Sequence, residues 1–380
     1  MPSPQNLSPV SAVTAPDPYP YYAELTRQRP FGHDGALGVW VAADAASVTA
    51  VLREPALRVR PPAEPVPAGI VGTPAGQVYG HLVRMTDGDL QQRLKRLVVT
   101  ALGTADAAVV AERAAERTAD VLKAGGEAPL EELMFGVPAR VVADLCGLDD
   151  RSDEASRLIG DFVGCIPATA TAEQQATAAR AAARLLEILG PRLDERGDGL
   201  LGELVRAATA DDWHERAPLL ANSVGLLSQT YDATAGLIGN TLLAVARDLA
   251  ARPDRPAGWA RFVREVARHD APIQNTRRFA SAAVRIGTEQ VPAGQAVLLV
   301  LAAANRDPAV NDDPHVFRPD RPRPAMFTFG AAAHRCPGED VAVAIASAVV
   351  DTLLSHGFDP ATLPAGPAYR PLANARIPVL

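Results

Sequence analysis

The sequence of 380 residues predicts a mainly α chain with small β-sheets. Three observations carry that prediction. Alanine-rich stretches place apolar residues at helical spacing. Residues 217–251 are apolar nearly all round, enough for roughly nine or ten helical turns through the interior of a fold. Strand-like alternation is confined to short runs near residues 38–43 and 284–304.

Each element follows from local pattern. Asp17-Pro18 and the spacing of Tyr19, Tyr22 and Leu25 predict a first helix over residues 17–28. Residues 58–80 hold many Pro and Gly and show no helical period, so they read as a long irregular loop and a candidate substrate lid. Helices are expected over 89–101, 106–124 and 172–189. The first carries Arg93, Lys95 and Arg96, which either form a solvated face or meet a partner or cofactor. A shorter helix covers 263–269, a hairpin covers 284–304 about Pro292-Ala293-Gly294, and a buried helix covers 341–354.

No linker or repeat interrupts the chain, so residues 1–380 are expected to form a single domain, with 1–16 as a disordered or extended N-terminus. A composition of 48% hydrophobic and 21% charged residues can bury a large core around a cofactor. The net charge of −7 argues against a broad nucleic-acid-binding surface. No signal peptide, membrane anchor or spanning segment is expected. Three cysteines exclude a disulfide framework and fit a reducing cytoplasm, and a monomer is expected. Lysine occurs only at Lys95 and Lys123 while Arg and Ala abound, a bias that suits a high-GC bacterial source.

Cys336 is the residue most suited to chemistry. It lies in Phe329-Gly330-Ala331-Ala332-Ala333-His334-Arg335-Cys336-Pro337-Gly338, where the glycines let the backbone turn tightly and His334 and Arg335 bring donors and positive charge. A thiol binds metal as thiolate, which backbone donors, cations or the metal itself must stabilise. Zinc fails on ligand count, because Cys146 and Cys165 lie far upstream in apolar helical context and read as core cysteines.

This loop resembles the haem-binding loop of the cytochrome P450 superfamily, bacterial soluble class, and further blocks follow in the family's order. Glu265-Val266-Ala267-Arg268 resembles its Glu-x-x-Arg helix, and Arg321 its meander arginine; the resemblance implies that Glu265, Arg268 and Arg321 form a buried structural cluster. Thr276-Arg277-Arg278-Phe279-Ala280 is similar to the strand whose arginine, here Arg278, holds a haem propionate. Ala304-Asn305-Arg306-Asp307-Pro308 and Asp17-Pro18-Tyr19-Pro20 also match, so the resemblance runs almost end to end.

The fold it implies is a single-domain triangular prism with haem between the long central helix and the helix after the cysteine loop. It implies haem b, with Cys336 as axial ligand of the iron and with Phe329, Gly330, His334, Gly338, Arg278, Gln91 and Lys95 as cofactor-binding residues. The family's usual His and Arg, four apart, are Gln91 and Lys95 here, and the second glycine of its cysteine loop is Ala332, whose methyl group fits if φ is negative.

The long helix departs most. Where family members carry a small residue, Gly, any residue, an acid and Thr, this chain has Gln229-Thr230-Tyr231-Asp232-Ala233, followed by Thr234. Family threonines help deliver protons to dioxygen; Gln229 or Thr230 with Asp232 and water, or a substrate hydroxyl, is expected to complete the relay here. The alternative is that Thr230 and Thr234 bond to preceding carbonyls of their own helix. Thr234 lies about 100° round the helix from Ala233.

The implied function is haem-thiolate monooxygenation of a small specialised metabolite or carrier-bound intermediate. Dioxygen is the oxidant, and electrons come from NAD(P)H through ferredoxin reductase and a ferredoxin docking near Arg93, Arg96 and Arg335. The missing threonine keeps oxidative coupling, dehydrogenation, rearrangement and peroxide- or nitric-oxide-dependent chemistry open. A non-catalytic partner protein and a haem sensor are the alternatives from another class. The substrate pocket is expected along 58–84, 159–171, the long helix, 272–275 and 373–376.

Overall fold

The computed structural model describes residues 7–124, 129–195, 197–248, 252–253 and 255–380. They divide into two compact units. One comprises the chain up to Pro62 with Gly236–Cys336 and Leu354–Leu380; the other comprises Ala63–Ala235 with Pro337–Leu353.

The first unit holds both sheets. Strands β1 (Phe31–Asp34), β2 (Val39–Ala42), β3 (Leu57–Arg58), β4 (Thr276–Ala280) and β7 (Ala296–Leu299) form one sheet in the order β1-β2-β7-β4-β3, while β5 (Val284–Ile286) and β6 (Glu289–Val291) form a separate hairpin. The 284–304 region thus differs from its expected form. The hairpin reverses beside Gly287, at φ +59°, whereas Gly294 leads the chain out into β7, which pairs with β2 and β4. Residues Leu301–Ala304 are one helical turn.

Sheet and helices share an apolar core that includes Ala42, Val48, Leu57, Val297 and Leu299. Helix Ala45–Arg53 packs there, its N-terminus capped by Asp44 and its first amide donated to Asp307 Oδ2 at 2.8 Å. Arg376, itself buried, fastens the start of the chain: its guanidinium meets Asp270 at 3.0 Å and donates to the carbonyls of Val13, Ala15 and Pro16. Consequently Ser11–Thr14 form a 3-10 turn with Ala12 and Val13 fully buried, in place of the extended or disordered start expected through residue 16; residues 1–6 lie outside the described chain. Arg376 is also thereby committed to structure, unlike the pocket role expected for 373–376.

The second unit is helical. Helix Ala172–Asp194 starts with a reciprocal capping box between Thr171 and Gln174 and packs on Ser152–Val163 and Pro74–His81; Gly88–Leu102 packs on Gly199–Ala210. The Ala172–Asp194 helix runs past its expected end at 189 and carries Pro191 within its last turns. Helix Arg216–Arg247 is continuous from the second unit into the first, and the expected continuation over 249–251 lies outside the described residues.

The expected loop over 58–80 is corrected by helix Pro74–His81. Thr73 caps it through the Gly76 amide at 3.2 Å, and Pro74 suits its first position. Gly76 is required: a Cβ there would lie 2.0 Å from the Ile70 carbonyl oxygen. Gly76→Ala is therefore expected to lower stability by about 2 kcal/mol or more, read as a drop in the midpoint of chemical denaturation.

Candidate functional site

Three side chains from distant sequence make one buried ionic cluster in the first unit. Helix Pro256–His269 places Glu265 and Arg268 three residues apart, so Arg268 clasps both oxygens of Glu265, Nε to Oε2 at 2.8 Å and Nη2 to Oε1 at 2.7 Å. Arg321 adds Nε to Oε1 at 3.1 Å, and the Arg318 amide donates to the same oxygen at 2.8 Å. Both guanidinium groups spend their remaining donors on backbone carbonyls, Arg268 on Pro314 and Asn305, Arg321 on Asp313 and Val316. Burial pushes the Glu265 carboxyl up in pKa, but these donors and charges outweigh it and hold the group below its ordinary value.

Asn305 carries this order toward Cys336. Its carbonyl accepts from Arg268, its side-chain oxygen accepts from the Phe327 amide at 2.6 Å, and its side-chain nitrogen donates to Thr328 Oγ1 at 2.7 Å. Thr328 in turn donates to Ala267 O at 2.6 Å, on the helix of Glu265. Sequence reading recognised the block containing Asn305 but not this role, since its partners lie more than twenty residues away.

The loop that starts from Phe327 is closed by its own backbone. Gly330 N–H donates to Phe327 O at 2.8 Å, and Cys336 N–H donates to Phe329 O at 2.7 Å. Gly330 has φ +67°, and a Cβ there would lie 3.3 Å from His334 O. Ala332–His334 form one 3-10 turn. Ala332 stands at φ +54°, contrary to the negative angle on which its fit was expected to depend. An L-residue is strained there.

Cys336 is half-buried, with His334 also half-buried and Arg335 exposed beside it. The other thiols contrast with it. Burial pushes Cys146 up to about 12, and raises Cys165, whose Sγ lies 3.2 Å from Phe162 O. Both are core residues. Arg278 is buried on β4 opposite Val297, with Nη1 donating to Arg277 O at 2.7 Å. Among the described residues no three of His, Cys, Asp and Glu converge as a metal site.

In the second unit, Gln91 is buried and Lys95 half-buried on one face of helix Gly88–Leu102, four residues apart. Arg93 pairs with Asp211 at 2.5 Å and stacks over Trp213, and Arg96 reaches Asp211 at 3.6 Å. Of the expected partner-docking residues, these two are thus engaged within the chain. Gly338 precedes helix Glu339–Ser355, and its carbonyl accepts from Ala342 at 2.9 Å.

The relay candidates on the long helix separate clearly. Gln229 Nε2 donates to Gly225 O at 3.1 Å and Thr230 Oγ1 to Leu226 O at 3.1 Å, the ordinary bonds to carbonyls one turn back. Thr234 does not do this. Its Oγ1 is buried and has no hydrogen-bond partner among the described residues. Asp232 and Ala233 are half-buried beside it. Tyr231 packs on Phe135 at 5.0 Å between ring centres, with its hydroxyl 2.8 Å from where a Cβ on Gly160 would stand.

Elsewhere, a cleft of about 570 Å³ in the first unit is lined by Asp17, Tyr19, His269, Asp270, Arg306 and Arg376. Its charges serve one another, as in Arg306 bonded to His269 O at 2.8 Å and Arg376 to Asp270. It belongs to the framework of that unit.

A family model described as Cytochrome P450 matches residues 260–365. The 6-deoxyerythronolide B hydroxylase of Saccharopolyspora erythraea is 30% identical over 267 residues, 68% of this chain and 66% of the hydroxylase, so the match spans just under two thirds of that relative. Cytochrome P450 107B1 of the same organism is 30% identical over 280 residues, 71% of this chain and 68% of its own. The crystal structure of P450BioI in complex with hexadec-9Z-enoic acid ligated acyl carrier protein aligns with TM-score 0.81 and 21% identity over 94% of this chain and 96% of that one.

Two consequences are measurable. Glu265→Gln strands two guanidinium charges, so it should cost about 3 kcal/mol or more in denaturant unfolding. Because the folded pKa of Glu265 is depressed, its stabilisation is full above roughly pH 4.3 and disappears as pH falls through the lower folded value; the variant should lose that part of the acid dependence. Ala332→Gly relieves the positive φ and should gain about 1 kcal/mol, read in the same assay.

Proposed function

The chain belongs to the cytochrome P450 family of monooxygenase oxidoreductases, and on that premise we propose that it oxidises a small specialised metabolite, free or carrier-bound, at a haem ligated by Cys336. Haem is the cofactor of the family. The residues present fit it: one half-buried thiol in a loop closed by its own backbone, a buried strand arginine, and an unpartnered buried hydroxyl on the long helix. The loop carries the reading, since the chain's other two cysteines are sealed in apolar core.

Held by a thiolate, haem would supply reductive activation of dioxygen. The chain's own residues bind, orient and protonate. Cys336 gives the thiolate, and Pro337, lacking an N–H, withholds one donor from the sulfur. Phe329, Gly330 and Gly338 shape the loop. Arg278, His334, Gln91 and Lys95 are the proposed donors to the propionates, with Lys95 a point charge where a guanidinium fork would bind in two places.

Proton handling is assigned to Thr234 and Asp232. Gln229 and Thr230 use their side chains within the helix, whereas Thr234 Oγ1 retains its full capacity to donate and accept. Asp232 is the proposed point of proton exchange with solvent; Thr234 lies about 200° round the helix from it, so water carries the proton between them before Thr234 hands it on. Ala233 leaves space in place of the usual hydroxyl. Electrons are assigned to NAD(P)H through ferredoxin reductase and ferredoxin in the cytoplasm, with Arg335 as the exposed cation of the cysteine loop. The solved relative seated on an acyl carrier protein supports a carrier-bound substrate as the alternative to a free one.

Removing an orphaned hydroxyl relieves its desolvation cost, so Thr234→Val should be at least as stable as wild type in denaturant unfolding, by up to about 1–3 kcal/mol. Turnover with ferredoxin, reductase and NADPH should nevertheless fall about tenfold or more, with reduced oxygen escaping as hydrogen peroxide. Equal coupling in both proteins would remove Thr234 from the relay. Turnover with hydrogen peroxide alone, matching the full electron-transfer system, would favour the peroxide-dependent reading.

A further inference from the structure

Arg84 is the least explained charge in the second unit. It sits in the 3-10 turn Val83–Met85, between helices Pro74–His81 and Gly88–Leu102. That turn is fixed to the long helix by Asn222, whose side-chain oxygen accepts from Val83 N–H at 2.8 Å and whose nitrogen donates to His81 O at 2.8 Å. Gly225, one turn on, lets Leu82 down onto the helix; a Cβ there would lie 2.9 Å from Leu82 Cδ2. The backbone of Arg84 is therefore held rigidly against the helix that carries Asp232.

Its side chain is served by nothing equivalent. Arg84 makes no hydrogen bond and no ion pair among the described residues, and its Nε is shut away from solvent without a partner. The acidic side chain whose field acts on it is that of Asp232. By contrast, the buried arginines of the ionic cluster and terminal network have their forks filled by carboxylates and carbonyls. Arg84 is half-buried, so its Nη edge, unlike the sealed Nε, is complementary to a planar anion that takes Nη1 and Nη2 together. Asp232 nearby disfavours a dianion, so the fitting charge is a monoanion.

We propose that Arg84 is a recognition residue for a carboxylate, placed beside the helix segment that handles protons. Two sources share that chemistry: a carboxylate on the substrate and a propionate of haem. The inference rests on the oxidative reading of the site and narrows its substrates to acids if the first source holds.

The test uses purified holoenzyme with dodecanoate and 3-phenylpropanoate as probes, each against its methyl ester, in wild type, Arg84→Gln and the charge-conserving Arg84→Lys. If the substrate supplies the anion, wild type binds the acids about tenfold or more tighter than the esters, by haem spin-state titration and by calorimetry. Arg84→Gln abolishes that preference and Arg84→Lys keeps part of it. If haem supplies it, acids and esters bind alike, but haem transfer to apomyoglobin quickens in Arg84→Gln and recovers in Arg84→Lys. No acid preference together with unchanged haem transfer in Arg84→Gln overturns the inference; should that variant not fold, the same outcomes in Arg84→Lys against wild type decide it. Carboxylate binding without any oxidation would leave Arg84 in its role and remove the monooxygenase reading, whereas undiminished oxidation of neutral compounds by Arg84→Gln, with no acid preference and unchanged haem transfer, would do the reverse.

Discussion

The buried carboxylate of Glu265 is the constraint on which the first unit depends. Two arginines from opposite ends of a fifty-residue stretch and one backbone amide converge on it. An ion set so deeply buried is stabilising only when every donor is used. Here the guanidinium groups spend their surplus on carbonyls of the segment 305–316, so the charge cluster also folds an otherwise irregular run of chain. Asn305 passes that order to Phe327 and Thr328, the residues from which the Cys336 loop departs. The cluster thereby fixes where the Cys336 loop begins.

The second unit solves a different problem. Its long helix returns Gln229 and Thr230 to their own backbone while Thr234 Oγ1 meets no hydrogen-bond partner among the described residues. A buried hydroxyl with no partner costs about 1–3 kcal/mol. Such a cost, set one residue after Ala233 and two after Asp232, marks where the helix departs from simple packing. Arg84 repeats the pattern as a charge: backbone fixed by Asn222, Nε sealed with no acceptor among the described residues.

What the sequence made legible follows from locality. Helices with clear apolar stripes, such as Gly88–Leu102 and Ala107–Lys123, were evident because period and capping lie within the element. Cys336 stood out because its loop is contiguous. Helix Pro74–His81 was hidden by its own Pro and Gly content, since Gly76 is there for a close backbone approach that only the folded chain reveals. Gly287 and Gly294 are both plausible turn glycines in the sequence, and the pairing of β7 with β2 and β4 decides between them. Arg93 and Arg96 looked available to partners until Asp211, over a hundred residues away, occupied them. The positive φ of Ala332 and the unpartnered atoms of Thr234 and Arg84 are tertiary properties with no sequence signal.

The central claim is that Cys336 is the axial thiolate of a haem. The direct measurement is the difference spectrum of the dithionite-reduced protein on adding carbon monoxide, for wild type and Cys336→His. The account predicts the strongly red-shifted Soret band of thiolate-ligated haem in wild type and its replacement by an imidazole-type band in the variant. An imidazole-type band in wild type, or the same red-shifted band in both proteins, would contradict it.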